Sequence, residues 1–219
     1  MKTDLAVVLR ALLAFVVLAL CAAGMVGLLR LDVYFDAHNL SEFSWVELTQ
    51  EVLLFLLVLG YFALARHSRL WRPAATLVGG FFACLLIREL DAFLDVVFHG
   101  FWVVPALLVA GLALSVAWKE RAATLRGLAM MVRSPFFGGL LCGLVTLLVF
   151  SRLMGMSSLW QMLLQDGYAR MIKETVEETL ELFGYMQIFV ASAGIIGQAL
   201  RVERHHNSLC AVDERLTRF

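Results

Sequence analysis

Nine carboxyl side chains stand inside long apolar stretches of this chain: Glu47 and Glu51; Glu89, Asp91 and Asp95; Glu174, Glu177, Glu178 and Glu181. In a helix, residues four apart share a face. "ELTQE" therefore pairs Glu47 with Glu51, and "ETVEETLELFGY" lines up Glu174, Glu178, Glu181 and Tyr185, with Glu177 at the edge of the stripe. A continuous helix through 84–99 aligns Cys84, Arg88, Asp91, Asp95 and His99 and turns Glu89 away. Carboxyl pairs at this spacing can share a proton, ligate a hard metal ion or receive a cationic ligand. Only Arg88 lies among them, with Lys173 at the rim and His38 and His99 in nearby connections. So many acids cannot all remain ionised without a further cation.

The chemistry expected from these residues is a metal or cation site. Carboxylate-rich ligation suits Mg²⁺, Mn²⁺, Ca²⁺ or iron better than structural zinc. Asp91, Asp95, Glu178 and Glu181 are the expected metal ligands. Arg88, Tyr185, Glu47 and Glu51 are the expected substrate-binding groups, with Arg88 clamping an anionic group. Glu174 and His99 are the expected proton-transfer residues. The corresponding activity is a metal-dependent hydrolase or transferase acting on a lipid or lipid-linked substrate. Two alternatives stand beside it: a carboxylate-coupled transporter of a cation or small molecule, and a non-catalytic membrane subunit whose Arg88–carboxylate network is structural.

The elements that must position these groups are membrane helices. The chain has 219 residues, 61% hydrophobic and 16% charged, with mean hydropathy +0.83. A soluble domain is nearer half apolar and a quarter charged. Runs long enough to span a bilayer recur at 5–29, 45–65, 74–98, 102–118, 135–155 and 171–200. They lack the alternation of barrel strands, so the expected fold is all-α with six transmembrane helices. Residues 119–133 and 157–168 read as interfacial helices, the second also a candidate lid, and 201–219 as a loosely ordered charged tail. Thirteen of the eighteen lysines and arginines fall at the termini and in the second and fourth connections. That bias predicts both termini in the cytoplasm, in the cytoplasmic (inner) membrane. Every intramembrane acid then lies within ~15 Å of the outer boundary, at 1.5 Å per residue. Charge facing lipid is costly, so the stripes are expected to meet in one outward-opening pocket. Trp45, Trp71, Trp102, Trp118 and Trp160 fall at span ends, as interfacial belts do.

Other classes are excluded. Cys21, Cys84, Cys142 and Cys210 form no CxxC pair, which argues against a zinc knuckle or redox pair. No histidine lies within a span to ligate haem, and no nucleotide motif occurs. The cytoplasmic basic residues follow from topology and do not suggest nucleic acid. Membrane lipids are the expected surroundings, with a homo-oligomer or a partner membrane protein allowed by Gly24 and Gly27, or Gly79 and Gly80. The ExxxE pairs resemble those of undecaprenyl-diphosphate phosphatases in that feature alone. The Gly- and Ser/Arg-rich phosphate loop of those enzymes has no counterpart here, nor does the HxxxH of ceramidase-like membrane hydrolases.

Overall fold

The protein is described from a computed structural model covering residues 2–37, 44–165 and 170–216. All regular structure in those residues is helical, in the order α1 (Lys2–Ala37), α2 (Trp45–His67), α3 (Arg72–Glu89), α4 (Asp91–Leu94), α5 (Val103–Lys119), α6 (Arg121–Val132) and α7 (Phe137–Val145). A π-helical turn (Thr146–Phe150) joins α7 to α8 (Ser151–Met154), which is succeeded by α9 (Ser157–Leu164) and α10 (Arg170–Leu216).

Four helices among the described residues are long and apolar enough to cross a membrane: Asp4–Tyr34, Trp45–His67, Phe137–Met154 and Arg170–Glu203. α5 and α6 make a fifth if the pair, bent by 101°, counts as one span. The chain is thus an all-helical protein with four to five candidate membrane spans. The expected 74–98 span is not one helix. α3 carries Arg72, Arg88 and Glu89 among its eighteen residues and ends at Leu90, whose backbone (φ −85°, ψ 18°) leaves the helix. The chain then makes the single turn of α4 and reaches Gly100 at φ +84°, a left-handed position that suits glycine. The stretch after 201, expected to be loose, continues α10 to Leu216, because no glycine or proline interrupts 201–216.

The chain divides into two compact units, Met1–Gln50 with Gly143–Met186, and Glu51–Cys142 with Gln187–Phe219. In the first, Met25, Val46, Leu147, Leu182 and Tyr185 are buried. Most of α1 exposes leucine, valine and phenylalanine, the surface a helix presents to lipid. Ser44 caps the start of α2: its hydroxyl accepts the Glu47 N–H at 3.2 Å. Asp32 of α1 adds to this cap. Its carboxylate accepts the N–H groups of Trp45 (2.7 Å) and Val46 (2.9 Å) and the Ser44 hydroxyl (3.0 Å). Asp32→Ala is expected to cost about 1–2 kcal/mol of stability, and Asp32→Asn less, in thermal unfolding followed by circular dichroism. An unchanged melting temperature for Asp32→Ala would contradict this role.

In the second unit, α3 packs against α5 and α6. A side-chain carbon on Gly80 would lie 2.5 Å from the Ala113 methyl, and one on Gly127 2.5 Å from the Ala74 methyl. Small residues thus let these backbones approach, as in many membrane helix pairs. The polar groups at this level are paired. The Tyr61 hydroxyl donates to Ser192 Oγ (3.1 Å), and Ser134 Oγ donates to Gln198 Oε1 (2.8 Å). Trp71, expected at the interface, is 7% exposed and packs inside; Trp45 and Trp118 are exposed.

Candidate functional site: a membrane carboxylate cluster

The first unit gathers an acidic group on α10 around one guanidinium. Arg152 lies in α8, directly after the π-helical turn. That turn adds a residue to the helical repeat and so rotates the faces of α8 relative to those of α7. The fully buried Ser151 stabilises the segment by donating its hydroxyl to the Leu147 carbonyl at 2.6 Å. One arm of Arg152 donates to Glu177 Oε1 at 2.9 Å, and the other pairs with Glu181. Glu177 also lies 3.5 Å from Lys173, and Glu174 pairs with Arg170 one turn away.

Glycines make room for this arrangement. A side-chain carbon on Gly155 would lie 2.5 Å from the Glu177 carboxylate carbon, so the carboxylate is seated on bare backbone. At Gly184 the same test meets Leu147 Cβ at 2.9 Å, the Leu147 nitrogen at 3.0 Å and the Gly143 carbonyl at 3.1 Å. α10 and the segment bearing Arg152 therefore touch backbone to backbone. Trp160 of α9 donates its indole N–H to the Met154 carbonyl at 2.5 Å, which ties the helix expected at 157–168 to the end of α8. Only Ser157–Leu164 of that stretch is α-helical, and 166–169 lie outside the described residues.

Glu178 differs from its neighbours. It is half-buried, and its carboxylate makes no hydrogen bond or ion pair among the described residues. Glu47, Glu174, Glu181 and Asp32 all lie close enough for their charges to act on it. Its backbone carbonyl accepts the Gln50 side-chain N–H at 3.2 Å, and Gln50 is only 3% exposed. Gln50 thus fixes this turn of α10 while leaving the carboxylate unengaged.

The remaining expected site residues belong to the second unit, apart from Tyr185, which is buried in the first at 1% exposure. Arg88 lies 3.4 Å from Glu89, its sequence neighbour, and not on a stripe with Asp91. The break at Leu90 ends the expected alignment of Cys84, Arg88, Asp91, Asp95 and His99. Asp95 instead organises a turn: it accepts the Gly100 N–H at 2.9 Å and lies 2.8 Å from His99 Nδ1. The His99 ring is fully exposed. Glu51, at the start of the second unit's portion of α2, is half-buried. His38 lies outside the described residues.

Two participants are not evident from sequence pattern. Arg152 falls near the end of the expected fifth span and outside the expected site, although its level opposite Glu177 and Glu181 is a usable signal. Asp32 falls in an expected connection, beyond the end of the first span. Among the described residues no group of three or more histidine, cysteine, aspartate and glutamate side chains is arranged to hold a metal ion. No known protein family, curated protein or solved structure matches the chain.

Proposed function

We propose that this is a multi-pass membrane protein whose carboxylate cluster on α10 takes up a cation at Glu178, either a proton or a small metal ion. The observation that carries this reading is the contrast within one helix. Glu174, Glu177 and Glu181 each have an arginine or lysine, whereas the carboxylate of Glu178 has no hydrogen-bonding or ionic partner among the described residues and faces other acids. Ionisable groups held inside a membrane mark ion or substrate routes more often than scaffolding. The π-helical turn beside Arg152 supports the same reading, since such turns occur frequently at functional sites.

Carboxylate-coupled transport of a cation or small molecule is the activity such a site serves most directly. The basic residues near the termini and in the second and fourth connections favour a cluster that opens to the outer side of the cytoplasmic membrane. A hydrolase or transferase acting on a lipid-linked substrate would need Mg²⁺, Mn²⁺, Ca²⁺ or iron held by further ligands. A proton or monovalent cation needs only Glu178 and its neighbours.

The test is thermal unfolding of the full chain in mild detergent while H⁺, Na⁺, K⁺, Mg²⁺, Mn²⁺, Ca²⁺ or Fe²⁺ is varied. A ligand that binds only the folded state at a hundred times its Kd stabilises by about 2.7 kcal/mol. One of these cations is expected to raise the melting temperature of the native chain and not of Glu178→Gln. An equal response in both, or none in either, would overturn the assignment.

A further inference from the structure

We propose that the α2–α3 connection forms a binding site for the phosphate group of an anionic membrane lipid. A cavity of ≈ 540 Å³ is lined there by Phe62, Ala65, Arg66, Arg69, Arg72 and Thr76. Its size lies in the range of sites that hold small organic ligands. The three arginines come at intervals of three, the first from the end of α2, the second from the turn and the third from the start of α3. None of the three guanidinium groups makes a hydrogen bond or ion pair among the described residues. Three positive groups lining one cavity, with no carboxylate among the described residues that line it, would repel one another, and a phosphate would satisfy them. Guanidinium forks match phosphate oxygens in pairs.

The local fold holds this turn in shape by other means. Ser68, fully buried, accepts the Trp71 N–H at 3.3 Å and directs its hydroxyl to Glu203. Glu203 of α10 is thereby engaged with Ser68. No side chain caps the N-terminus of α3, where Arg72 and Thr76 meet the cavity. The positive end of that helix dipole adds to the attraction for an anion. Thr76 gives its hydroxyl to the Arg72 carbonyl at 2.8 Å, and Phe62 and Ala65 supply the apolar part of the lining.

Position selects a lipid over a soluble ligand. α2 is long enough to cross a membrane and ends at His67, so Arg66, Arg69 and Arg72 stand at a hydrocarbon boundary. The positive-residue bias predicts this boundary to face the cytoplasm. A phosphate bearing acyl chains would place its charge among the arginines and its glycerol and first methylenes toward Phe62 and Ala65.

The experiment measures lipid binding to the full chain by native mass spectrometry. The protein is released from nanodiscs of phosphatidylcholine containing phosphatidylglycerol, with and without millimolar inorganic phosphate. The native chain is expected to retain phosphatidylglycerol selectively. Replacing all three arginines (R66Q, R69Q and R72Q) is expected to lower that retention on the order of a hundredfold, from the contribution of each basic residue near an anionic surface. Removing the same charge elsewhere, as R121Q, R126Q and R133Q, is expected to lower it far less. Thr76→Trp, which fills the cavity and keeps every charge, should mimic the cavity triple variant and covers the case in which that variant does not fold. Displacement of the lipid by inorganic phosphate would assign the site to the free anion and overturn the lipid assignment, whereas persistence of the lipid would support the headgroup. Equal losses in the two triple variants, or full retention in Thr76→Trp, would also overturn the proposal.

Discussion

Arg152→Gln is expected to destabilise the first unit by about 1–3 kcal/mol, the loss typical of charge-assisted hydrogen bonds removed from partly buried carboxylates. The guanidinium serves two carboxylates at once, Glu177 and the 7%-exposed Glu181, and glutamine would remove its charge from both, leaving Lys173 beside Glu177. Arg152→Lys should recover only part of the loss, because an ammonium cannot reproduce the two-armed fork. Combining Arg152→Met with Glu177→Gln and Glu181→Gln should recover more, since no charge is then stranded. Unfolding of each variant in increasing dodecyl sulfate, followed by circular dichroism, gives the comparison. If Arg152→Gln unfolds with the native chain, the pair behaves like an exposed surface contact, worth at most about 1 kcal/mol.

The second large effect belongs to Gly184. The nearest atoms around a side chain placed there are Leu147 Cβ, the Leu147 backbone nitrogen and the Gly143 carbonyl, all within 3.1 Å. Backbone cannot swing aside as a flexible side chain can, so Gly184→Val must separate α10 from the π-helical segment. Overpacking of this kind costs about 2–3 kcal/mol, and Gly184→Ala should show a smaller version of the same loss. The same separation moves Arg152 from Glu177 and Glu181, so cation-dependent stabilisation should fall along with the melting temperature. Gly24→Ala is the matched control: nothing lies within 4 Å of that position. There, the gain in helix propensity of about 0.5–1 kcal/mol should show unopposed. Equal melting temperatures for Gly184→Val and Gly24→Ala would contradict the close contact.

The membrane class and most helices are legible in the sequence because apolar runs longer than eighteen residues rarely occur outside membrane helices. α2 is bounded almost to the residue by its apolar run, expected at 45–65 and observed at Trp45–His67, which Arg66 and the basic turn after it close. No glycine or proline marks the break at Leu90. What is visible lies after it: Asp95 spends its carboxylate on Gly100 and His99, local side-chain bonds that compete with continuing the helix beyond α4. Gly100 is the available hint, ten residues downstream. The acidic stripe of α10 is readable from its spacing, because a straight helix preserves the relation between position and face. The partner of that stripe is hidden by the π-helical turn at 146–150, whose sequence TLLVF carries no distinguishing residue. The arginine that matters also lies on the fifth expected span, which carries no acid and so falls outside the expected site. Charge leads to the opposite error beyond 201, where polar residues suggest a loose tail although each of them is compatible with a helix.

The central claim is that Glu178 takes up a cation, a proton or a small metal ion, inside the membrane. A hydrophobic carbodiimide tests this most directly, because it modifies carboxyl groups in their protonated form within apolar surroundings. Treatment of the full chain at several pH values, followed by peptide mass spectrometry, locates and counts the adducts. The account predicts modification concentrated at Glu178 and increasing as pH falls. The site's own cation should suppress it more effectively at higher pH, where the carboxylate is free to bind. Modification spread evenly over Glu174, Glu177, Glu178 and Glu181, or modification of Glu178 indifferent both to pH and to every cation supplied, would contradict it.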